Sequence, residues 1–436
     1  MSFERLENPE RRIIGTEMEY WAHNTQHPSE YRWLPNGGLI YTDMGGLECA
    51  SPETAGIDEA TLYTHANDLV VLQFSDSPRI HRRIRGYDEA GFLNLRGFHI
   101  NFEVASTTSR FAIAAELGSF ITACSLFNGA GWAVADLEGK GHFGTSQRGS
   151  GITNVMADTA HNAQKPWIIN REENHNGGNP DTFRLQVAAD PNINPCATRA
   201  TLGLLSIGLR MCENGIFPRF HYKDPIEASY HIAREKYGTI SLATYEDGLL
   251  GPEDILEDVL EQAAQHPELL ADDEQIMLDG LAAEVQRYRA DPLSLWRRID
   301  HVAKTYLAEH KGYTTLETLS ALDLAYDTLR GLPNETGQGV GYGLHASGNF
   351  DIRLSDDKLF AACLTPPATR AKHRVDIMNH LDSMGIEHYI DWADIREKNA
   401  LTNKEWYLVL SNARGVLTLD ERASLFKQIG FQPSVL

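Results

Sequence analysis

Two periodicities run through the chain. Arg12 to Trp21 alternates with period two: Ile14, Thr16, Met18 and Tyr20 share one face, and Ile13, Glu17, Glu19 and Trp21 the other, so the stretch is predicted to be a strand. A turn signal at Asn36-Gly37-Gly38 feeds a second strand, Leu39 to Asp43, in which Leu39, Tyr41 and Asp43 look the same way. Leu93 to Val104 is strand-like too and carries His99 and Asn101 on one face. Helical spacing governs residues 57–75, a stretch through about Phe127 ended by Asn128-Gly129, and Ala200 to Cys212, which stops at Asn214-Gly215. Further helices are predicted over Pro252 to Tyr288, Leu293 to Leu307 and Thr318 to Leu329, and another opens near Thr365–Lys372. Gly337 to Gly343 reads as a flexible loop with no dinucleotide-binding context.

Against this frame the acidic residues stand out. Glu17 and Glu19 lie one strand period apart beside Ile13 and Trp21, so they repel each other and are partly desolvated. A hard divalent cation such as Mg²⁺, which takes oxygen ligands, relieves both penalties. Joined by Glu48 and Glu53, the pair predicts an oxygen-rich floor, the alternative being a solvated acidic edge. Asp43 precedes a Gly-containing turn and suits either a turn cap or a base. His99 is open between a structural histidine and a ligand. Arg148, Arg171 and Arg184 are candidate phosphate clamps or ordinary ion-pair partners, because a planar fork suits phosphoryl oxygens and carboxylates alike. Asp190 and Asn194 are expected to be cap and turn residues, and Trp392, taken by itself, a core aromatic.

Charge and cysteine usage narrow the classes. A net charge of −21 over 436 residues argues against nucleic acid or an anionic membrane as a main partner. Five cysteines with no C-x-x-C pair predict neither a zinc site nor a disulfide framework, and a reduced cytoplasmic compartment is the expectation. The N-terminal residues hold no apolar core of a signal peptide. Leu117 to Ala135 is uncharged, but its glycines, serines, threonine and asparagine make a poor membrane span. Gly141 follows Gly139-Lys140, so there is no Walker A loop.

Gly15-Thr-Glu-Met-Glu-Tyr20 and Asn36-Gly-Gly-Leu-Ile-Tyr-Thr-Asp-Met-Gly45, with Glu48 beyond, resemble the Pup ligase and Pup deamidase (depupylase) family, carboxylate–amine ligases on the glutamine synthetase fold. That family's pattern is G-x-E-x-E-[FY] followed by N-G-A-R-L-Y-x-D-x-G-x-H-P-E-Y-A-T. The segments Ser146-Gln147-Arg148, Pro166 to Arg171, Asp190 to Pro195, Thr365 to Lys372 and Asp391-Trp392 resemble it as well, in the same order. The resemblance implies an α+β fold in which a curved antiparallel sheet packs against helices. It also implies a catalytic domain over 1–367 and a small C-terminal α/β domain over 368–436. ATP and Mg²⁺ are the implied cofactors. The implied metal residues are Glu17, Tyr41 and Glu48, with Glu19 and His99 beside them; Asp43 is the implied catalytic base. Ser51, Asn101, Arg171, Arg184 and Trp392 are the implied nucleotide-site residues.

The activity so implied is ATP-driven phosphorylation of a side-chain γ-carboxylate, followed by its joining to an amine. The substrates would be a protein, Pup-like or otherwise, or a small molecule. A depupylase-type amide hydrolase and a divergent ATP-binding protein that ligates nothing remain alternatives. The deamidase branch carries a long insertion between the positions of Tyr20 and Asn36 that this chain lacks, which favours a ligase. Three departures, Leu39 for Arg, Ile100 for Glu and Gln186 for His, are expected each to remove a charge or ligand from the nucleotide–metal region.

Overall fold

The period-two runs pair into one sheet. In chain order its main strands are β1 (Ile13–Ala22), β2 (Arg32–Trp33), β3 (Leu39–Asp43), β4 (Gly46–Ala50), β5 (Phe98–Ala105), β6 (Asn154–Ala157), β7 (Pro166–Ile169) and β8 (Thr182–Ala189). They lie side by side as β6-β7-β8-β5-β1-β4-β3-β2 within an eleven-stranded sheet. The neighbouring pairs along this path are antiparallel except β6 and β7, which run parallel, so the sheet is mixed rather than wholly antiparallel. The computed structural model describes residues 10–383 apart from 23–31, 44–45, 76, 78, 83–84, 88–92, 96, 137, 159–164, 171–180, 247 and 331–338, together with short strands at 388–390, 394–398 and 405–409.

The alternation in β1 decides which side of the sheet is core. Ile14, Thr16, Met18 and Tyr20 are buried, whereas Glu17, Glu19 and Trp21 are only partly so. The buried face meets α1 (Ile57–Phe74): Thr16 Oγ1 lies 2.9 Å from Thr64 Oγ1, and the Tyr20 hydroxyl donates to Asp68 at 3.1 Å. Asp68 also accepts from Arg82 Nε at 2.7 Å, so this buried carboxylate is paired rather than stranded. Behind the sheet lie α2 (Arg110–Ala123) and α3 (Pro195–Glu213). Asn194 caps α3, accepting from Cys196 N at 2.9 Å, and Pro195 fills a first-turn position where no N–H is needed.

Elsewhere the helices depart from expectation for local reasons. Residues 252–288 divide into α4 (Pro252–Gln265) and α5 (Asp272–Ala290), broken at Pro267, which cannot donate to a helical ladder. The helix expected over 293–307 is a 3₁₀ turn, Pro292–Leu295, followed by α6 (Asp300–Lys311). After α7 (Leu316–Asp327), the stretch read as a loop carries α8 (Val340–Ala346). Gly339, just ahead of α8, is required: a Cβ there would lie 1.8 Å from the Thr328 carbonyl oxygen.

Towards the end of the described residues come α9 (Asp356–Leu364) and α10 (Arg370–Ser383). α10 is fastened to the sheet: Arg374 donates to the Gly37 carbonyl at 2.8 Å, and Arg370 and Arg374 both clasp Glu53. The boundary expected at 367 thus falls just before a helix anchored to the site-bearing strands. Beyond it, the strands at 388–390, 394–398 and 405–409 pair with one another. Among the described residues no helix is long and apolar enough to cross a membrane.

Candidate active site

Register builds the site. In the antiparallel ladders Glu17 sits opposite His99, Glu19 opposite Glu48, Glu48 opposite Tyr41, and Asn101 opposite Gln186. Because side chains alternate along each strand, these residues share the sheet face turned away from α1. Two sets of ligand atoms each converge within 4.8 Å: Glu17, Glu48 and His99, and Glu19, Asp43 and Glu48. Glu48 belongs to both.

Glu17 is held from two sides. Asn101 Nδ2 donates to its Oε1 at 3.0 Å and Gln186 Nε2 to its Oε2 at 2.9 Å. Arg184 lies 3.7 Å from Oε1, and His99 Nδ1 lies 3.6 Å from Oε2. Having given their N–H groups to Glu17, both amides keep buried carbonyl oxygens, Asn101 Oδ1 and Gln186 Oε1, with no hydrogen-bond partner, and His99 Nδ1 is likewise without one. Native interiors rarely leave such atoms unmatched. Electrostatics point the same way. Burial, then Glu17 and Glu19, push the Glu48 carboxyl well above its usual range. Burial and the charges of Glu17 and Glu48 push the Tyr41 phenol upward, and its hydroxyl hydrogen-bonds Glu48. Carboxylates, a phenol and one imidazole form a hard donor set that fits Mg²⁺ or Mn²⁺.

Several expectations need revision. Glu53 is not part of the floor. It is buried and receives Arg370 NH2 at 2.6 Å and Arg374 NH2 at 2.7 Å. Burial alone would raise its pKa, but Arg374 and Arg370 outweigh this and bring it to about 2. Ile100 takes nothing from the site, because the alternation of β5 turns it into the core, where it is fully buried. Gln186 replaces a ligand with a donor to Glu17 rather than leaving a gap. Leu39 is buried on the site face, so its departure from Arg stands. Ser51 accepts from Thr16 N at 2.9 Å and donates to the Pro52 carbonyl at 3.0 Å, so its hydroxyl braces β1. Asp190 is no simple turn residue: its carboxylate accepts from Ala130 N, Gln147 N and Arg148 N. Arg171 and Trp392 lie outside the described residues.

Gly97 is a site residue that pattern reading missed. A Cβ there would lie 2.5 Å from His99 Nε2 and 3.1 Å from Glu19 Oε1, so the imidazole and carboxylate pack over a bare Cα. The signal was available: a glycine two residues before a strand histidine occupies the same face.

A mixed sheet backed by helices, with acidic clusters converging on one face, makes this an α+β protein with a candidate divalent-cation site. The chain belongs to the Pup-ligase family, whose model, described as Pup-ligase protein, matches residues 2–396. It is 26% identical to a Pup–protein ligase of Actinosynnema mirum, covering 89% of this chain and 93% of the relative. It is 25% identical to a depupylase of Acidothermus cellulolyticus, covering 78% and 70% of the two chains. Two solved structures share the fold. The complex between prokaryotic ubiquitin-like protein Pup and its ligase PafA gives a TM-score of 0.80 at 20% identity, covering 97% of this chain and 93% of that one. PafA in complex with ADP gives 0.75 at 21% identity, covering 93% and 91%.

Proposed function

We propose that this protein is an ATP- and Mg²⁺-dependent ligase that joins a side-chain γ-carboxylate of a Pup-like protein to an amine on a protein substrate. The observation carrying this reading is the convergence of Glu17, Glu48 and His99 with Glu19 and Asp43 on one sheet face, at the positions where the family's motifs place metal and base. A carboxylate oxygen of the substrate attacks the γ-phosphorus of ATP, and ADP leaves with the electron pair of the broken P–O bond. The amine then attacks the acyl carbon and phosphate departs. Such a sequence couples an uphill condensation to ATP.

On this reading Glu17, Tyr41, Glu48, Glu19 and His99 hold the cation, which supplies charge neutralisation for the phosphoryl group. Asn101 and Gln186 fix the plane of Glu17. Arg184 and Asn101 would serve the nucleotide, as would Arg171 and Trp392 by their place in the family's motifs, and Ser51 braces the strand beneath it. Asp43 accepts the proton from the incoming ammonium, since only the free amine is nucleophilic; a positioned base contributes roughly 10²–10⁴-fold. A reduced cytoplasmic setting is supported by five free cysteines, all buried.

The test is Asp43→Asn, with ligation followed by mass spectrometry. Asn keeps a turn cap's hydrogen bonds but accepts no proton, so amide formation should fall at least about 100-fold while Mg-ATP binding stays near wild type. Near-normal ligation would remove Asp43 as base. Release of a Pup-like protein from conjugates, with no conjugate formed by the wild type, would replace the ligase reading with the depupylase one.

A further inference from the structure

The loop Ser146–Arg148 delivers to the sheet a guanidinium that makes no direct ion pair among the described residues. Arg148 is 2% exposed. Its Nε has no hydrogen-bond partner, and its NH2 reaches only the Pro166 carbonyl, at 3.5 Å. No carboxylate among the described residues forms an ion pair with it. A buried, charged fork with so little to bind is strongly disfavoured unless an anion completes it. The backbone nevertheless holds it rigidly in place. Asp190 accepts from Arg148 N at 2.8 Å and Gln147 N at 3.0 Å, while the Gln147 side chain donates to the Gly131 carbonyl at 2.8 Å. Asp190's oxygens are thus taken by main-chain donors, and it attracts the guanidinium only from a distance, without hydrogen-bonding it.

Lys165 immediately precedes the proline that Arg148 touches, which places a second cation at the same end of β7. Pro166 opens β7, which pairs with β8, and β8 pairs with β5, the strand of His99 and Asn101. Both cations thus stand on the sheet that carries the acidic cluster, where Glu19 attracts them. The two basic residues therefore stand at the border of the carboxylate floor, as a cationic wall beside an anionic one. Arg148's partner is missing, its position is pre-set, and its neighbour is the candidate reaction centre.

We propose that Arg148, assisted by Lys165, is the seat of an oxyanion at the edge of this centre. The ligase reading, on which this rests, brings two oxyanions there: the phosphoryl group in transit and the substrate γ-carboxylate. The forked guanidinium can donate two parallel hydrogen bonds to either. Preorganised donors of this kind act without reorganising at the moment of reaction.

Titration calorimetry on the full chain, wild type against Arg148→Gln and Arg148→Lys, separates the possibilities. The probes are inorganic phosphate in the presence of Mg-ADP, Mg-ADP alone, and a peptide ending in glutamate without nucleotide. Loss of a charge-assisted hydrogen bond should weaken the bound oxyanion about 10- to 100-fold in Arg148→Gln, with Mg-ADP affinity unchanged. Arg148→Lys, which keeps the charge, guards against a folding defect and should lose less. Weakened phosphate alone assigns the seat to the phosphoryl group, and weakened peptide alone to the carboxylate. Equal affinity of all proteins for both probes, or a wild type that binds neither, overturns the seat. A wild type that binds phosphate but never nucleotide leaves the seat standing and instead refutes the ligase reading.

Discussion

Neutralising Glu48 should make the metal-free protein more stable. Glu48 is 3% exposed and its carboxylate shares a 4.8 Å cluster with Glu17 and another with Glu19. Two ionised carboxylates at that separation repel by about 3 kcal/mol at an effective dielectric of about 20. Burial adds to this, so the folded-state pKa lies well above the ordinary 4.5. Between those two values the folded state binds a proton that the unfolded state has released, so wild-type stability falls as pH rises, by about 1.4 kcal/mol per pH step. Glutamine in the same place needs no proton. Glu48→Gln should therefore match the wild type near pH ~4.5 and exceed it increasingly as pH rises from there towards neutrality. Millimolar Mg²⁺ should reverse the order, because the cation binds the ionised wild-type site and stabilises only the folded state. Urea unfolding with EDTA, from about pH 5 to about pH 8, and again with Mg²⁺, reads both effects. A variant less stable than wild type throughout the EDTA series would refute the reasoning, since the fold itself would then satisfy an ionised Glu48.

Glu53 behaves in the opposite sense. Its pKa is depressed to about 2 from 4.5, so Glu53→Gln should cost about 3 kcal/mol at neutral pH, and urea titrations should show the deficit vanishing as pH falls from about 4.5 to about 2. A pH-independent deficit would mean that shape, not charge, binds α10. Gly97→Ala inserts a Cβ 2.5 Å from His99 Nε2 and should weaken Mn²⁺ binding, followed by electron paramagnetic resonance, while costing about 1–3 kcal/mol of stability. Unchanged Mn²⁺ affinity would place His99 outside the metal site. Gln186→Leu deletes the 2.9 Å donor to Glu17 and should lower Mn²⁺ affinity about 10-fold with little change in nucleotide affinity in the absence of metal. Equal metal binding would leave Gln186 a packing residue.

The sheet face carrying the site was legible because strand alternation is local. Two glutamates one period apart in β1 had to share a face, and Tyr41 had to point with Asp43. What alternation cannot supply is the partner across the sheet. Glu53 reads like another floor acid until α10 is seen folding back from more than 300 residues away to claim it. Ile100 read like a lost ligand because its position was compared by motif rather than by parity, and parity sends it to the core. Gln186 is the converse case. A departure counted as a loss proves to hold Glu17, since an amide can orient a carboxylate that a histidine would otherwise accompany at the metal. The loop assigned to Gly337–Gly343 holds a helix from Val340 because Gly339 and Gly341 serve close approach to the end of α7 rather than flexibility.

The clasp between Glu53 and α10 bears on how the protein is made. Arg370 and Arg374 are separated from Glu53 by 317 and 321 residues, and Arg374 also grips the Gly37 carbonyl at the root of the β3–β4 hairpin. A chain that ends before Arg370 would lack both counter-charges of Glu53 and the tether of the hairpin bearing Tyr41, Asp43 and Glu48. The reactive floor is encoded early in the sequence, but its brace is encoded more than 300 residues later. A nascent or prematurely ended chain stopping short of Arg370 would carry most of the sheet and yet no properly braced centre, so unfinished copies would not conjugate anything.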